Sequence, residues 1–246
     1  MNGRVVRLLI CVLLCLAGIA TTAVTALPAT VEAAGPARNA PALMNVSAVK
    51  TSGLTPTVLE LAVSAVSCAV KNGDIERPKT LTVIDYSLPS TEPRLWVYDV
   101  ATGKLLFKEL VAHGRNTGEN MATQFSDTPE SRQTSIGLFV AGETYVGSNG
   151  YSLRMDGLEP GFNARARERA IVMHGAPYVD ESLVAKQGRI GRSWGCPALR
   201  EAIARDVIDT VSGGGVIFSY YPDASWLQTS RFLNCNNTPD AVLATN

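Results

Sequence analysis

One cysteine in the second half of the chain has neighbours that suit nucleophilic chemistry. Cys196 stands in the stretch GRSWGCPALRE, between Gly195 and Pro197. Apolar residues then recur every four positions as far as Val211, which predicts an amphipathic helix that Pro197 begins and Cys196 caps. Unpaired amide groups and the positive dipole at a helix start favour a thiolate. Cys196 is therefore a candidate nucleophile, although a small buried cysteine would fit the same pattern.

A cysteine nucleophile needs a proton acceptor, and the chain has two histidines. His174 follows the apolar run AIVM and precedes Gly175, which places it at the exposed end of a buried strand. His113 also ends an apolar strand, but it leads into a long polar loop, where it would contact substrate or cap the strand. We expect His174 to be the partner of Cys196, because one moderate connection joins the two segments. The amides of Gly195 and Cys196 are candidates for an oxyanion hole.

The N-terminus has the three parts of a secretory signal peptide. Two early arginines precede an apolar run over about residues 8–20, and small residues follow as far as Ala26. The sequence therefore predicts a cleaved segment at 1–26. An uncleaved membrane anchor is the alternative, but the apolar run is near the short end for a spanning helix.

The rest of the chain suits one domain. Residues 27–53 are rich in Ala, Pro, Asn and Ser, which predicts a flexible lead-in, and 54–246 form the folded part. The 22 basic and 22 acidic residues balance and form no block of like charge, so nothing indicates nucleic acid or a charged membrane patch as partner. We expect a monomer in the periplasm or outside the cell.

Cysteine usage supports an oxidising compartment. Removal of the signal peptide leaves Cys68, Cys196 and Cys235. A Cys68–Cys235 bridge would tie the ends of the domain together and leave Cys196 free. Two alternatives remain, three free thiols or a disulfide between chains, since the sequence does not give the connectivity.

The pattern of apolar residues predicts a mainly β body with helices at its edges. A capped helix is expected between Thr55 and Gly73 and another after Cys196, with shorter pieces at 162–168 and 223–229. Residues 113–133 read as a surface loop. The predicted strands are LTVIDYSL, the hairpin RLWVYDVATGKLLFKELVA, SIGLFVAG, residues 151–155, AIVMHG and GVIFSYY.

The segment that holds both candidate residues resembles the murein L,D-transpeptidase catalytic-domain family. That family's signature is His-Gly, an intervening stretch, Ser or Thr, one residue, Gly and Cys, and MHGAPYVDESLVAKQGRIGRSWGCPAL fits it. Similarity continues through VIDYSLPSTEPRLWVYD, GYSLRMDGLEPGFN and RARERAIVMHG, and so covers about residues 81–227. The resemblance implies a β-sandwich or barrel with a few peripheral helices.

The resemblance also implies roles for five residues. Cys196 would be the nucleophile and His174 its base, with the Gly175 carbonyl orienting the imidazole. Ser193 and Gly195 match the frame of the signature.

Two positions depart from the broad family pattern. Trp194 stands where His is usual, and Ala198 replaces an Arg that commonly follows the cysteine by two residues. Arg192 or Arg200 would then supply the missing cation. The closer branch of the family carries the Trp-Gly-Cys-Pro form.

The activity implied is acyl transfer on peptidoglycan stem peptides through a thioester, with release of D-Ala and transfer to an amine. The alternatives are an L,D-carboxypeptidase that uses water and a non-catalytic wall-binding domain with Cys196 in a disulfide. No cofactor or metal is implied, and H-E-x-x-H is absent from the sequence. The candidates for lining the cleft and contacting substrate are Arg192, Trp194, Tyr178, Arg154, Asp156 and His113.

Overall fold

A computed structural model describes residues 43–46, 49 and 53–235. The predicted signal peptide (1–26) and most of the predicted lead-in (27–53) lie outside these residues. Within the described part, no helix is both long and apolar enough to cross a membrane.

Eight strands form one sheet in the order β3-β2-β1-β8-β4-β5-β6-β7. The strands are β1 (Thr80–Asp85), β2 (Leu95–Asp99), β3 (Leu105–Glu109), β4 (Gly137–Gly147), β5 (Gly150–Gly157), β6 (Val172–Gly175), β7 (Ala198–Leu199) and β8 (Gly215–Tyr220). The helices are α1 (Pro56–Lys71), α2 (Ser182–Gln187), α3 (Glu201–Ser212) and α4 (Ala224–Thr229). The mainly β fold with a few helices is thus confirmed.

Both faces of the central strands are buried. Along β8, Val216 and Phe218 belong to an apolar core that includes α1 and Trp226 of α4. Ile217 points to the other face, where a second core includes the apolar side of α3. Because helices cover both faces, the central strands are continuous apolar runs, which made them easy to recognise in the sequence.

The first helix has the predicted boundaries. Thr55 is the N-cap and Pro56 the first helical residue, a position where the missing N–H of proline costs nothing. Gly73 adopts a left-handed φ of +75°, and the amide of Asp74 donates to the carbonyl of Ala69. The glycine is therefore the residue that lets the chain leave the helix.

All predicted strands are present, and β2 and β3 pair antiparallel as the predicted hairpin. The short helix predicted at 162–168 is wrong, since these residues form successive turns. The sequence interpretation also missed α2, which is short and has no buried face.

The helix predicted to begin at Pro197 begins at Glu201 instead. Ala198 and Leu199 form β7, parallel to β6, and their carbonyls accept hydrogen bonds from amides of neighbouring segments. Both side chains are fully buried, so sheet pairing overrides the helical spacing at this point. Cys196 is not a helix N-cap, and the expected dipole effect on its thiol was wrong.

Three residues of the predicted lead-in pack on the domain. Leu43, Met44 and Val49 are buried in the same core as α1. The Arg77 guanidinium donates to the carbonyl of Leu43 over 2.7 Å. The expectation that 27–53 stays outside the core is therefore wrong for these residues, because their apolar side chains have a core face to cover.

The predicted disulfide is present between Cys68 of α1 and Cys235, beyond α4. Among the described cysteines, Cys196 is the one outside a disulfide. This bridge ties the first helix to the C-terminal segment, as expected.

Loss of the disulfide should destabilise the domain. The bridge closes a loop with a sequence separation of 167 residues, and chain-entropy arguments give about 2–5 kcal/mol for such a crosslink. We expect a Cys68→Ala/Cys235→Ala protein to have a lower unfolding temperature than the wild type. Thermal unfolding with and without reductant checks this: reductant should lower the wild-type midpoint and leave that of the variant unchanged. Equal midpoints for oxidised wild type and variant would contradict it.

Candidate active site

Strands β6 and β7 bring the two candidate residues together. His174 of β6 lies opposite Ala198 of β7, and its amide donates to the carbonyl of Pro197 over 3.4 Å. Cys196 lies two residues before the start of this short strand. Both side chains line one cavity of about 400 Å³. The parallel pairing, which sequence reasoning did not anticipate, therefore positions the pair.

The imidazole of His174 is held in one tautomer. Its Nδ1 lies 2.9 Å from the carbonyl oxygen of Gly175. Because a carbonyl oxygen can only accept, Nδ1 carries the proton, and the lone pair of the neutral ring is on Nε2. Burial lowers the pKa of His174, which is 4 % exposed. The ring is thus neutral and able to accept a proton.

The thiol of Cys196 lies among backbone groups. Its Sγ accepts from the amide of Val172 at 3.4 Å and lies 3.7 Å from the carbonyl oxygen of Ala170. Burial raises the pKa of Cys196, and the Val172 amide and the positive charge of Arg169 offset only part of this. Burial therefore favours the protonated thiol of Cys196, and not the thiolate that the sequence suggested.

Ser193 fixes the turn that carries the nucleophile. Its Oγ accepts from the amide of Gly195 at 3.0 Å and donates to the carbonyl of Cys196 at 2.6 Å. The Gly195 carbonyl in turn accepts from the hydroxyl of Thr134. The two predicted oxyanion donors therefore differ. The Gly195 amide already donates to Ser193 Oγ, so the Cys196 amide is the remaining candidate.

Gly195 is required by the backbone. It has a φ of +128°, in the region that favours glycine. A Cβ there would lie 2.8 Å from the carbonyl oxygen of Gln133 and 3.0 Å from Cδ1 of Ile171. The loop that contains Gln133 therefore packs directly on the nucleophile turn.

Three of the predicted substrate-contacting residues line the cavity of Cys196: Arg192, Trp194 and Tyr178. The Arg192 guanidinium donates to the carbonyl of Gly118 and to the carboxylate of Glu119, both at 2.8 Å. Burial raises the pKa of Tyr178 to about 12, so its phenol remains a hydrogen-bond donor. Trp194 is 69 % exposed and forms a wall of the cavity.

His113 does not line that cavity. It is fully buried, with Nδ1 2.7 Å from Nη2 of Arg94 and Nε2 facing the carbonyl of Gly118. Burial and the adjacent Arg94 lower the pKa of His113 to about 3. The expectation of a substrate contact is wrong, because this histidine anchors the start of the loop.

Arg154 and Asp156 do not line that cavity either. Arg154 pairs with Glu143 at 2.9 Å and stacks on Tyr145. Asp156 pairs with Arg167. Both β5 side chains thus form ion pairs with neighbouring residues. The prediction that they line the cleft was wrong for the cavity of Cys196.

Two arginines were predicted to supply the cation that the family pattern places after the cysteine. Arg192 lines the cavity of Cys196 and pairs with Glu119, whereas Arg200 does not line it and pairs with Glu109 at 2.6 Å. Arg169 also lines the cavity and acts electrostatically on Cys196. Its side chain is 3 % exposed and donates to four oxygens of the segment 126–135. Sequence reasoning missed Arg169, because nothing in RARERAIVMHG separates one arginine from the others.

Within the described part of the chain, no cluster of three or more metal-ligating side chains occurs. A thiol and an imidazole that line one cavity are groups that can support proton transfer from sulfur to nitrogen and acyl transfer at sulfur.

The sequence matches the model of the L,D-transpeptidase catalytic-domain family over residues 50–220. Among curated proteins, none matches significantly. Solved structures with similarity include an L,D-transpeptidase from Mycobacterium smegmatis, at 18% identity and a TM-score of 0.37, covering 58% of this chain and 59% of that one.

Two enzymes from Mycobacterium tuberculosis are similar to the same extent. L,D-transpeptidase 1 has 18% identity and a TM-score of 0.33, and L,D-transpeptidase 3 has 14% identity and a TM-score of 0.35. Each match covers 58% of this chain and 62% of the other. The chain thus spans about three-fifths of the length of these structures. Because the family model matches well over half of the sequence, the protein belongs to the L,D-transpeptidase catalytic-domain family.

Proposed function

We propose that the protein is a peptidoglycan L,D-transpeptidase in which Cys196 is the nucleophile and His174 the general base. The observation that carries this proposal is that Cys196, which is outside a disulfide, and His174, whose Nδ1 is hydrogen-bonded to the Gly175 carbonyl, line the same cavity. Family membership supports the reaction type.

The first half-reaction is acylation of the enzyme. Sγ of Cys196 attacks the carbonyl carbon of the L-centre in an L,D peptide bond, and its proton moves to Nε2 of His174. The tetrahedral intermediate collapses with cleavage of the C–N bond. D-Ala leaves with the proton from the imidazolium, and a thioester remains on Cys196. The Cys196 amide is a candidate donor to the developing oxyanion.

The second half-reaction transfers the acyl group to an amine of another stem. The amine nitrogen attacks the thioester carbonyl, an amide bond forms and the C–S bond breaks. The proton released by the amine returns through His174 to the sulfur. If water replaces the amine, the product is a shortened stem and the enzyme is an L,D-carboxypeptidase.

We also propose a location outside the cytoplasm and a mature chain that begins after 1–26. The charged and apolar N-terminus supports this, and the Cys68–Cys235 disulfide suits an oxidising compartment. The stem peptides of the cell wall are then the accessible partners.

Product analysis tests this function. Disaccharide-tetrapeptide is incubated with the wild type and with Cys196→Ala, and the products are separated by chromatography and identified by mass spectrometry. Crosslinked dimers with D-Ala indicate a transpeptidase, and tripeptide with D-Ala indicates the carboxypeptidase. Neither product from the wild type, or equal turnover by Cys196→Ala, would contradict the proposal. The first of these results would favour a wall-binding domain.

A further inference from the structure

A second cavity, of about 650 Å³, adjoins the cavity of Cys196. Arg169, Ala170 and Trp194 line both cavities. The exposed indole of Trp194 therefore stands between them. A molecule in the second cavity would lie next to an acyl group on Cys196.

Two opposite charges that line the second cavity have no ion-pair partner among the described residues. The Arg132 guanidinium lies 4.7 Å from the centre of the Trp194 ring, and within the described residues it has no ion pair. The Glu130 carboxylate likewise has no ion pair or hydrogen bond within that part of the chain. Glu168, on the same cavity, differs because it pairs with Arg165 at 2.9 Å. One cation and one anion are thus free to contact a ligand.

Backbone strain is concentrated at the same place. Among the described residues, Glu130, Arg132 and Ala170 are the non-glycine positions with positive φ, at 57°, 54° and 52°. All three line the second cavity. Such conformations cost energy and persist where the surroundings impose them, which is common at ligand-binding sites. Arg169 helps to impose this one, since it donates to Ser131, between the two charged residues.

One further donor in this region lacks a partner. Nε of Arg169 is buried and unsatisfied, although the other guanidinium nitrogens are hydrogen-bonded. A buried donor without an acceptor is costly, so the position of this guanidinium is imposed by the four hydrogen bonds of its other nitrogens.

We propose that the second cavity binds an amino-acid zwitterion, with the ligand's carboxylate at Arg132 and its ammonium at Glu130. An arginine suits a carboxylate because its planar N–H groups match the two oxygens. The ligand is either a free amino acid or the amine-bearing end of a second stem. Its role as the acceptor rests on the proposed function, whereas its binding does not.

Binding to the Cys196→Ala protein tests the site without turnover. Free meso-diaminopimelate and disaccharide-tripeptide are titrated calorimetrically at low ionic strength, with cadaverine as a probe that carries two amines and no carboxylate. We expect one or both of the first two to bind and cadaverine to bind at least tenfold more weakly. Binding of free diaminopimelate would identify a free amino acid as ligand, and binding of the tripeptide alone would identify a second stem.

Charge-neutral variants show whether this cavity is the site. Arg132→Gln and Glu130→Gln, both at exposed side chains, should each weaken binding about two- to fivefold. The matched controls Arg205→Gln and Glu60→Gln, exposed on α3 and α1, should bind as the parent does. Unchanged binding in the first two variants, equal binding of cadaverine, or no binding by either zwitterionic probe would overturn the proposal. None of these binding results would show whether wild-type Cys196 is acylated, so the proposed function would be tested separately.

Discussion

We expect His174→Gln to lower the rate of Cys196 acylation by about 100- to 10,000-fold, the usual contribution of a general base. Glutamine retains a polar side chain of similar reach but cannot accept the proton of the thiol. The measurement is D-Ala release from disaccharide-tetrapeptide in single turnover. Acylation of His174→Gln at the wild-type rate would exclude His174 as the base.

His113→Gln is the matched control, because it changes the same residue type outside the cavity. His113 is buried against Arg94 and Gly118, so its replacement should lower the unfolding temperature. The folded fraction should still turn over at near the wild-type rate. The two variants should therefore separate catalysis from stability.

The pH dependence of the wild type follows from the state of the pair. The base must be neutral, so the rate should fall as the pH drops through the pKa of His174, which burial holds below its ordinary value. The acid limb should thus lie below that of an exposed histidine, and it should be absent in His174→Gln. Burial also raises the pKa of Cys196, so alkylation by iodoacetamide without substrate should be slow at neutral pH. Rapid alkylation there would indicate a preformed thiolate and contradict a neutral pair.

The second large effect is expected for Gly195→Ala. The new Cβ would lie 2.8 Å from the carbonyl oxygen of Gln133, and the φ of +128° disfavours any L side chain. Strain of this kind costs about 1–3 kcal/mol and would shift the turn that holds Cys196. Chemical denaturation should show the loss of stability, and D-Ala release should fall strongly in protein that remains folded.

Gly188→Ala provides the comparison. Gly188 ends α2 with a φ of +72°, and no atom lies within 4 Å of an added Cβ. This variant should lose only about 1–2 kcal/mol from the backbone conformation and keep its activity. If Gly195→Ala behaved in the same way, close packing on the nucleophile turn would be unimportant.

The sequence predicted most of the fold for identifiable reasons. The central strands are buried on both faces and so form uninterrupted apolar runs, and α1 carries its own start and stop signals in Thr55, Pro56 and Gly73. The start of α3 was misplaced because Leu199 fits the apolar period of the helix but pairs in β7. Local spacing does not show which strand a short segment will meet.

The candidate site was predictable to a similar degree. Cys196 and His174 were selected by residue type and signature, and the structure brings them to one cavity. The hydrogen bonds of Ser193 were not predictable, because they depend on the shape of the turn around Cys196. The burial of Arg169 was not predictable either, because it depends on contacts with the distant segment 126–135. His113 was misjudged for the same reason, since its partner Arg94 lies just before β2, 19 residues away in the sequence.

The central claim is that an acyl group is carried on the sulfur of Cys196. The most direct test is the intact mass of the protein after brief incubation with disaccharide-tetrapeptide and an acid quench, followed by peptide mapping. We predict an adduct equal to the substrate less D-Ala, located on Cys196 and absent from Cys196→Ala. Release of D-Ala without this adduct under single-turnover conditions, or an adduct on another residue, would contradict the account.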